Sequence, residues 1–206
     1  DRYPEIRGIY DSLGKELTDI SFCGSIDDIS KTENLQPIMI AFQLAVLKLI
    51  RAHKPELLKG LKSTCGLSLG EYSALALSEI IDEDDALRLV AIRGTLMGKA
   101  SENRSSKMLA ILKMTEDEVR EVLQSHPEFE GKVYIANINS SRQIIVSGEG
   151  SAIDELKDFL KSNKKLAKPL SVSGAFHTPF MESTRAPFIE TLEETSFSSP
   201  KISYYP

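Results

Sequence analysis

A serine between two glycines is the first group whose spacing could support chemistry. Gly66-Leu67-Ser68-Leu69-Gly70 is a G-x-S-x-G pentapeptide. It follows a short segment, residues 62–66, that is predicted as a buried strand, and it precedes a segment predicted as a helix. In that context the pattern is typical of a nucleophile elbow, a sharp turn that exposes the serine hydroxyl. The N–H of Leu69 could then donate to a developing oxyanion. An ordinary glycine-rich turn with a capping serine would give the same pattern.

A serine is nucleophilic at neutral pH only when a base is close to it, and the chain has three histidines. We expect His53 and His126, which lie in polar surroundings, to be solvated. His177 lies in the segment G-A-F-H-T-P, just before a predicted helix. A helix N-terminus disfavours the imidazolium and keeps the ring available as a base. We therefore predict His177 as the base, although a buried structural histidine would also fit. No aspartate or glutamate has a pattern that marks it as a third catalytic residue.

Arg93 lies in the middle of an apolar helical stripe. The other members of that stripe are Ala86, Leu89, Val90, Leu96 and Met97. A guanidinium on such a face needs an anionic partner or a route to water. A structural ion pair would satisfy it, and so would a substrate carboxylate held by its planar fork. A serine and a histidine with an arginine clamp would transfer an acyl group that carries a free carboxylate.

The acidic run at residues 82–85 precedes this helix. We interpret it as charge that complements the helix dipole, and we predict no metal site.

The elements that must position these residues alternate between helix and strand. In the first part we predict a helix from Leu35 to His53 with Pro37 in its first turn, a buried strand at 62–66 and helices at 68–81 and from 82. Residues 107–172 then follow the order β-α-β-β-α-β, with strands at 107–113, 132–137, 143–147 and 166–172 and helices at 115–125 and 151–161. This order is that of a ferredoxin-like split βαβ unit. Thr178 is predicted to cap a last helix that runs to about Glu194.

The predicted fold class is α/β, with a hydrolase-like core that contains a parallel sheet. We assign residues 1–103 and 173–206 to that core and residues 104–172 to an inserted ferredoxin-like subdomain. The chain has no N-terminal Met and ends in a strand-like run. We therefore expect both ends to be cuts through a larger domain.

Composition narrows the function classes. A chain of 206 residues can bury a sizeable core. Its net charge of −5 disfavours nucleic-acid binding. Two cysteines cannot by themselves form a disulfide framework or a four-ligand zinc site, so we expect reduced thiols and a cytoplasmic protein. The most apolar stretch, residues 37–50, is expected to be too short and too polar to span a membrane.

These motifs resemble the malonyl-CoA:acyl carrier protein transacylases and the acyltransferase domains of polyketide synthases. The resemblance covers nearly the whole chain. It is carried by the segments Thr32–Pro37 (T-x-x-x-Q-P), Gly66–Leu75 (the serine motif), Arg93–Met97 (R-G-x-x-M), Ala136–Ser140 with Gln143–Gly148, and Gly174–His177 (G-A-F-H). The resemblance implies the same fold as the pattern above, a hydrolase-like core with a ferredoxin-like subdomain.

The resemblance also implies ping-pong acyl transfer in fatty acid or polyketide synthesis. Ser68, activated by His177, would take a malonyl group from malonyl-CoA while the N–H of Leu69 holds the oxyanion and Arg93 grips the malonyl carboxylate. The phosphopantetheine thiol of an acyl carrier protein would then take the malonyl group. No bound cofactor is expected, and a freestanding member would be a monomer. The implied substrate pocket contains Gln36, Leu67, Met97, Asn137 and Phe176.

Phe176, directly before the histidine, goes with malonyl rather than methylmalonyl units in similar enzymes. Leu67 departs from the family, since many bacterial members have histidine there. The family's N-terminal G-Q-G strand and its C-terminal segment, which orients the histidine, are absent, so we expect this chain to fold poorly or to lack activity.

Two other functions stay open: a serine acyl hydrolase or thioesterase with the same serine–histidine pair, and a non-catalytic docking domain. The densest basic run is Lys161, Lys164, Lys165 and Lys168. It is either a solvated helix end or part of a surface for an acidic carrier.

Overall fold

The computed structural model describes residues 3–102, 104–172 and 174–206. The chain separates into two compact units. The first unit comprises the residues up to Leu96 together with Ala186–Pro206, and the second unit comprises Met97–Arg185. The predicted boundary residues 103 and 173 lie outside the described residues, so the limits of the inserted subdomain stay a prediction.

The first unit contains helices and a pair of parallel strands. Its elements are α1 (Arg7–Leu13), α2 (Lys15–Cys23), α3 (Ile26–Ser30), α4 (Thr32–His53), β1 (Ser63–Cys65), α5 (Gly70–Leu77), the greater part of α6 (Glu83–Ser101) and of α9 (Arg185–Glu193), and β6 (Ser203–Tyr205). Strands β1 and β6 are parallel, with Thr64 opposite Tyr204. The prediction that residues 62–66 form a buried strand is wrong in its burial. Both ends of β1 are exposed and Thr64 between them is partly buried, because the described sheet has only one strand beside β1.

Helix α4 begins at Thr32 rather than at Leu35, so Pro37 lies in its second turn and not in its first. The earlier start follows from Lys31, whose extended backbone places its carbonyl to accept from the N–H groups of Asn34 and Leu35 at 2.9 and 2.8 Å. Pro37 costs this helix one hydrogen bond, since it has no N–H to donate.

The same helix has 22 residues and contains an 18-residue window with a mean hydropathy of 1.4, so it is long and apolar enough to cross a membrane by length and composition alone. Our expectation that the apolar stretch is too short is therefore wrong. The helix nevertheless contributes eight buried residues to the first unit, including Ile40, Ala41 and Leu44, which are completely enclosed. We interpret α4 as a core helix on this packing.

The helices on either side of residue 80 end and begin at polar caps. The predicted helix 68–81 is shorter, because Ser68 has a left-handed backbone and Ser78 ends α5 with its hydroxyl bonded to the carbonyl of Ala74. The side chain of Asp82 accepts from the N–H of Asp85 at 2.7 Å. The interpretation of the acidic run as a helix N-terminus is thus confirmed.

The second unit contains a four-stranded antiparallel sheet. Its elements are β2 (Ser106–Leu112), α7 (Glu116–Gln124), β3 (Val133–Ser140), β4 (Gln143–Glu149), α8 (Gly150–Ser162) and β5 (Leu166–Leu170). The spatial order β3-β4-β2-β5 is that of the predicted ferredoxin-like unit. Thr115 and Glu118 form the capping box of α7, and Leu109, Ile144 and Leu156 lie in the core. The predicted α/β class, with a parallel sheet and a ferredoxin-like unit, is confirmed.

The segment after His177 differs from its prediction. Thr178 does cap it, because its hydroxyl accepts from the N–H of Phe180 at 3.2 Å. The first turns, Pro179–Thr184, are a 3-10 helix, and the α-helix begins only at Arg185.

Candidate active site

The predicted nucleophile lies on a strained turn between β1 and α5. Ser68 has φ of +53°, a left-handed conformation that costs a non-glycine residue of order 1 kcal/mol. The N–H of Gly70 donates to the carbonyl of Leu67 at 3.0 Å and closes the turn. Within the described residues the N–H of Leu69 has no acceptor, as an oxyanion donor requires. Leu67 itself is 69% exposed.

The two glycines of the motif have different roles. A Cβ on Gly66 would lie 2.1 Å from the carbonyl oxygen of Gly70 and 2.5 Å from the N–H nitrogen of Glu71, both backbone atoms. A Cβ on Gly70 would meet nothing within 4 Å. The close approach that makes the elbow possible therefore depends on Gly66.

We expect Gly66→Ala to destabilise the protein by more than about 2 kcal/mol and to remove function, because backbone atoms must move to admit the methyl group. Gly70→Ala is the matched control: it places alanine in the first turn of a helix and is expected to be neutral or stabilising by up to about 1 kcal/mol. Chemical denaturation of both variants measures the difference. Equal stability of the two variants would contradict this account of the turn.

Arg93 contacts the predicted nucleophile directly. Its Nη2 donates to Ser68 Oγ at 2.9 Å, and its Nη1 donates to Gln36 Oε1 at 2.5 Å. The Gln36 amide is buried and donates through Nε2 to Thr32 Oγ1 at 2.9 Å. Helices α4 and α6 and the elbow thus bring Ser68, Gln36 and Arg93 together.

The guanidinium of Arg93 is partly buried without a countercharge beside it. Burial lowers its pKa, partly opposed by Tyr72 and Glu71. No carboxylate lies within 4.0 Å of it among the described residues. The Tyr72 ring lies 5.8 Å from the guanidinium carbon, and burial raises the pKa of Tyr72 to about 12, so the phenol is neutral. The Glu71 carboxylate accepts from the hydroxyl of Tyr204. The guanidinium is therefore a partly desolvated cation, which an anion bound beside it would stabilise.

His177 is an exposed residue of the second unit with φ of +60°. Its turn is fixed by Thr178, whose hydroxyl donates to the carbonyl of Ala175 at 2.6 Å. The predicted pocket residue Phe176 is partly buried against the small core cluster of Met108, Ala110 and Ile145. Ser68 and His177 both have positive φ, the kind of strain that accumulates at functional sites. Their pairing stays a prediction.

The remaining predicted pocket residues occupy different environments. Met97 is buried. Asn137 is partly buried on β3, at a register irregularity between Ile135 and Asn137. Gln36 accepts a hydrogen bond from Arg93, which also donates to Ser68. The roles assigned to Leu67, Met97, Asn137 and Phe176 stay predictions.

The other two histidines have structural partners. His53 is exposed and bonded to Glu5. His126, which we expect to be solvated, is instead partly buried. Its Nδ1 lies 2.8 Å from the carbonyl oxygen of Val122, and its ring packs between Phe129 and Phe159.

Comparison with known proteins decides the family. Residues 8–206 match the model of the acyl transferase domain family. The chain belongs to this family. This acyl transferase domain is 31% identical over 192 residues to the malonyl CoA-acyl carrier protein transacylase of Staphylococcus aureus (strain MRSA252), an alignment that covers 93% of the chain and 60% of that protein. The chain therefore spans about 60% of the length of such relatives.

Two solved structures share the fold. One is the acyltransferase domain of the second module of the salinomycin polyketide synthase, with a TM-score of 0.83 and 30% identity, over 98% of this chain and 46% of that chain. The other is the malonyl-transacylase PlMCAT in complex with AntF, a type II polyketide synthase acyl carrier protein, with a TM-score of 0.86 and 27% identity, over 98% of this chain and 66% of that chain.

Sequence reasoning assigned no role to two residues of this acyl transferase domain's site, Thr32 and Tyr72, although both lie in segments that carry the resemblance. Thr32 lies four residues before Gln36, and such pairs share a face of a helix, but the sequence predicts a helix only from Leu35, whereas α4 begins at Thr32. Tyr72 lies four residues after Ser68, but the turn at Ser68 breaks that periodicity, and only the structure shows that it packs beside Arg93. Among the described residues no cluster of three or more histidine, cysteine or acidic side chains is placed to hold a metal ion.

Proposed function

We propose that the protein is an [acyl-carrier-protein] S-malonyltransferase, which moves a malonyl group from malonyl-CoA to the phosphopantetheine thiol of an acyl carrier protein in fatty acid or polyketide synthesis. One observation carries this proposal. A serine on a strained elbow accepts a hydrogen bond from a partly buried arginine that has no carboxylate partner in the described ranges. A nucleophile and an anion site so close together suit an acyl group with a free carboxylate.

In the first half of the proposed reaction, Ser68 Oγ attacks the thioester carbonyl as His177 accepts its proton. The carbonyl oxygen becomes an oxyanion, to which the N–H of Leu69 donates. The C–S bond then breaks, and His177 returns the proton to the thiolate of coenzyme A. Arg93 exchanges part of its contact with Ser68 and Gln36 for the substrate carboxylate, and this holds the malonyl group in register with the nucleophile.

In the second half, the phosphopantetheine thiol of the carrier attacks the Ser68 ester, and His177 again carries the proton. The thiol belongs to the partner, so the protein needs no bound cofactor. A related malonyl-transacylase forms a complex with an acyl carrier protein, which supports such a partner. Lys161, Lys164 and Lys168 are exposed, and Lys165 lies 3.7 Å from Glu118. Their part in carrier docking stays a prediction.

We also propose that Phe176 limits the space beside the acyl α-carbon and so favours malonyl over methylmalonyl units. One methyl group is worth about 1–3 kcal/mol of discrimination. The partial burial of this ring against the cluster of Met108, Ala110 and Ile145 supports a fixed position for it.

We further propose a cytoplasmic monomer that binds neither nucleic acid nor membrane. The acidic net charge supports the first exclusion and the core packing of α4 supports the second. Cys23 and Cys65 are exposed and unpaired, as reduced thiols would be.

The full-length protein that carries this sequence tests the proposal when it is mixed with malonyl-CoA, with and without a phosphopantetheinylated carrier protein. We expect release of coenzyme A beyond one equivalent per protein to depend on the carrier, and the carrier to gain one malonyl group. Coenzyme A release with malonate as the product, unaffected by carrier, would favour the acyl hydrolase. A folded protein that releases none would favour the docking domain.

A further inference from the structure

We propose that Thr32 is a positioning residue for the carboxylate clamp. Its hydroxyl fixes the amide of Gln36, which in turn fixes the guanidinium of Arg93. The inference rests on the proposed function, because a clamp matters only for a substrate with a free carboxylate. Among the described residues the Thr32 hydroxyl bonds to Gln36 and makes no hydrogen bond to Ser68 or Arg93.

The chain of contacts is continuous and buried. Thr32 and Gln36 are 5% and 4% exposed. Thr32 Oγ1 accepts from Gln36 Nε2 at 2.9 Å, Gln36 Oε1 accepts from Arg93 Nη1 at 2.5 Å, and Arg93 Nη2 donates to Ser68 Oγ at 2.9 Å. The buried hydroxyl at the start of α4 is therefore two hydrogen bonds from the guanidinium.

The chemistry of the three groups fixes the direction of the amide. A guanidinium only donates, so the Gln36 amide must turn its oxygen to Arg93. The NH₂ group then faces Thr32, whose hydroxyl oxygen can accept. Without that acceptor the amide loses a buried hydrogen-bond partner that helps to hold it toward Arg93.

The spacing of the two helices is fixed by a separate contact. A Cβ on Gly94 would lie 2.9 Å from the carbonyl oxygen of Thr32 and 3.1 Å from the Cα of Glu33, both backbone atoms. Helix α6 therefore lies directly against the first turn of α4, with Arg93 next to Gln36. Gly94 thus sets the spacing of the two helices. The hydroxyl of Thr32 adds a hydrogen bond that helps to hold the Gln36 amide in its orientation.

The test compares kcat/KM for malonyl-CoA and for acetyl-CoA, which lacks the carboxylate, in Thr32→Val and Thr32→Ser. We expect the valine variant to lower the malonyl-to-acetyl ratio about fivefold, mainly through a higher KM for malonyl-CoA. The serine variant, which keeps the acceptor, is expected to stay within about twofold of wild type. The ratio is unaffected by the fraction of folded protein, and Thr32→Ala replaces the valine variant if that variant does not fold.

Thr191→Val is the matched control, since it removes another buried threonine hydroxyl of the first unit, one that donates to the carbonyl of Pro187. It is expected to leave the ratio unchanged. An unchanged ratio in Thr32→Val, or a serine variant that behaves like valine, would overturn the role of Thr32 alone. Absence of malonyl transfer by the wild type would overturn the proposed function, and this inference with it.

Discussion

Replacement of Arg93 by alanine is expected to lower kcat/KM for malonyl-CoA by about 100- to 1000-fold, while kcat/KM for acetyl-CoA changes little. The estimate follows from the loss of a partly buried, charge-assisted contact to the substrate carboxylate, worth about 2–5 kcal/mol. Acetyl-CoA has no acyl carboxylate, so the substitution removes no contact between Arg93 and this substrate. Steady-state kinetics with the two thioesters measure the change.

Arg93→Lys separates charge from geometry. Lysine keeps the positive charge but not the planar fork that donates to Gln36 and Ser68. We expect it to recover part of the malonyl activity and not all of it. An equal loss with both thioesters in Arg93→Ala would mean that the arginine holds the elbow in place and does not bind the acyl carboxylate.

Removal of the Ser68 hydroxyl is expected to have the largest effect of any single substitution. Ser68→Ala cannot form an ester with the acyl group, so transfer to the carrier should fall by at least about 10⁴-fold, to the background rate. The fold should survive, because serine and alanine meet the same backbone strain at φ of +53°. Coenzyme A release after rapid mixing, together with thermal unfolding, measures both effects.

Ser73→Ala is the matched control for this variant. Ser73 lies on α5, five residues after Ser68, and its hydroxyl donates to Gln43. We expect Ser73→Ala to keep acyl transfer at a modest cost in stability. Transfer that persists in Ser68→Ala would place the nucleophile elsewhere.

Local patterns predicted most of the fold. The β-α-β-β-α-β order of residues 107–172 depends on neighbours in sequence, and it is confirmed. The predictions that were wrong concern features that depend on tertiary contacts or on the backbone of neighbouring residues. The start of α4 depends on the extended backbone of Lys31. The exposure of β1 depends on how many strands surround it, which no pattern within residues 62–66 records.

The candidate site shows the same division. The spacing of the serine motif predicts the elbow, and the apolar stripe around Arg93 indicates a cation that needs an anion. The contact of Arg93 with Ser68 joins residues 25 positions apart, and no periodicity relates them. The hydroxyl of Thr32 is harder still to find, because its importance depends on which way the Gln36 amide faces.

The most direct test of the central claim is the intact mass of the full-length protein after brief exposure to malonyl-CoA, with peptide mapping of the product. We expect one malonyl group per chain, carried on the peptide that contains Ser68. The adduct should be absent from Ser68→Ala and should disappear when carrier protein is added. A folded wild-type protein that never acquires the adduct, or acquires it on another residue, would contradict the claim that Ser68 forms the ester with the malonyl group.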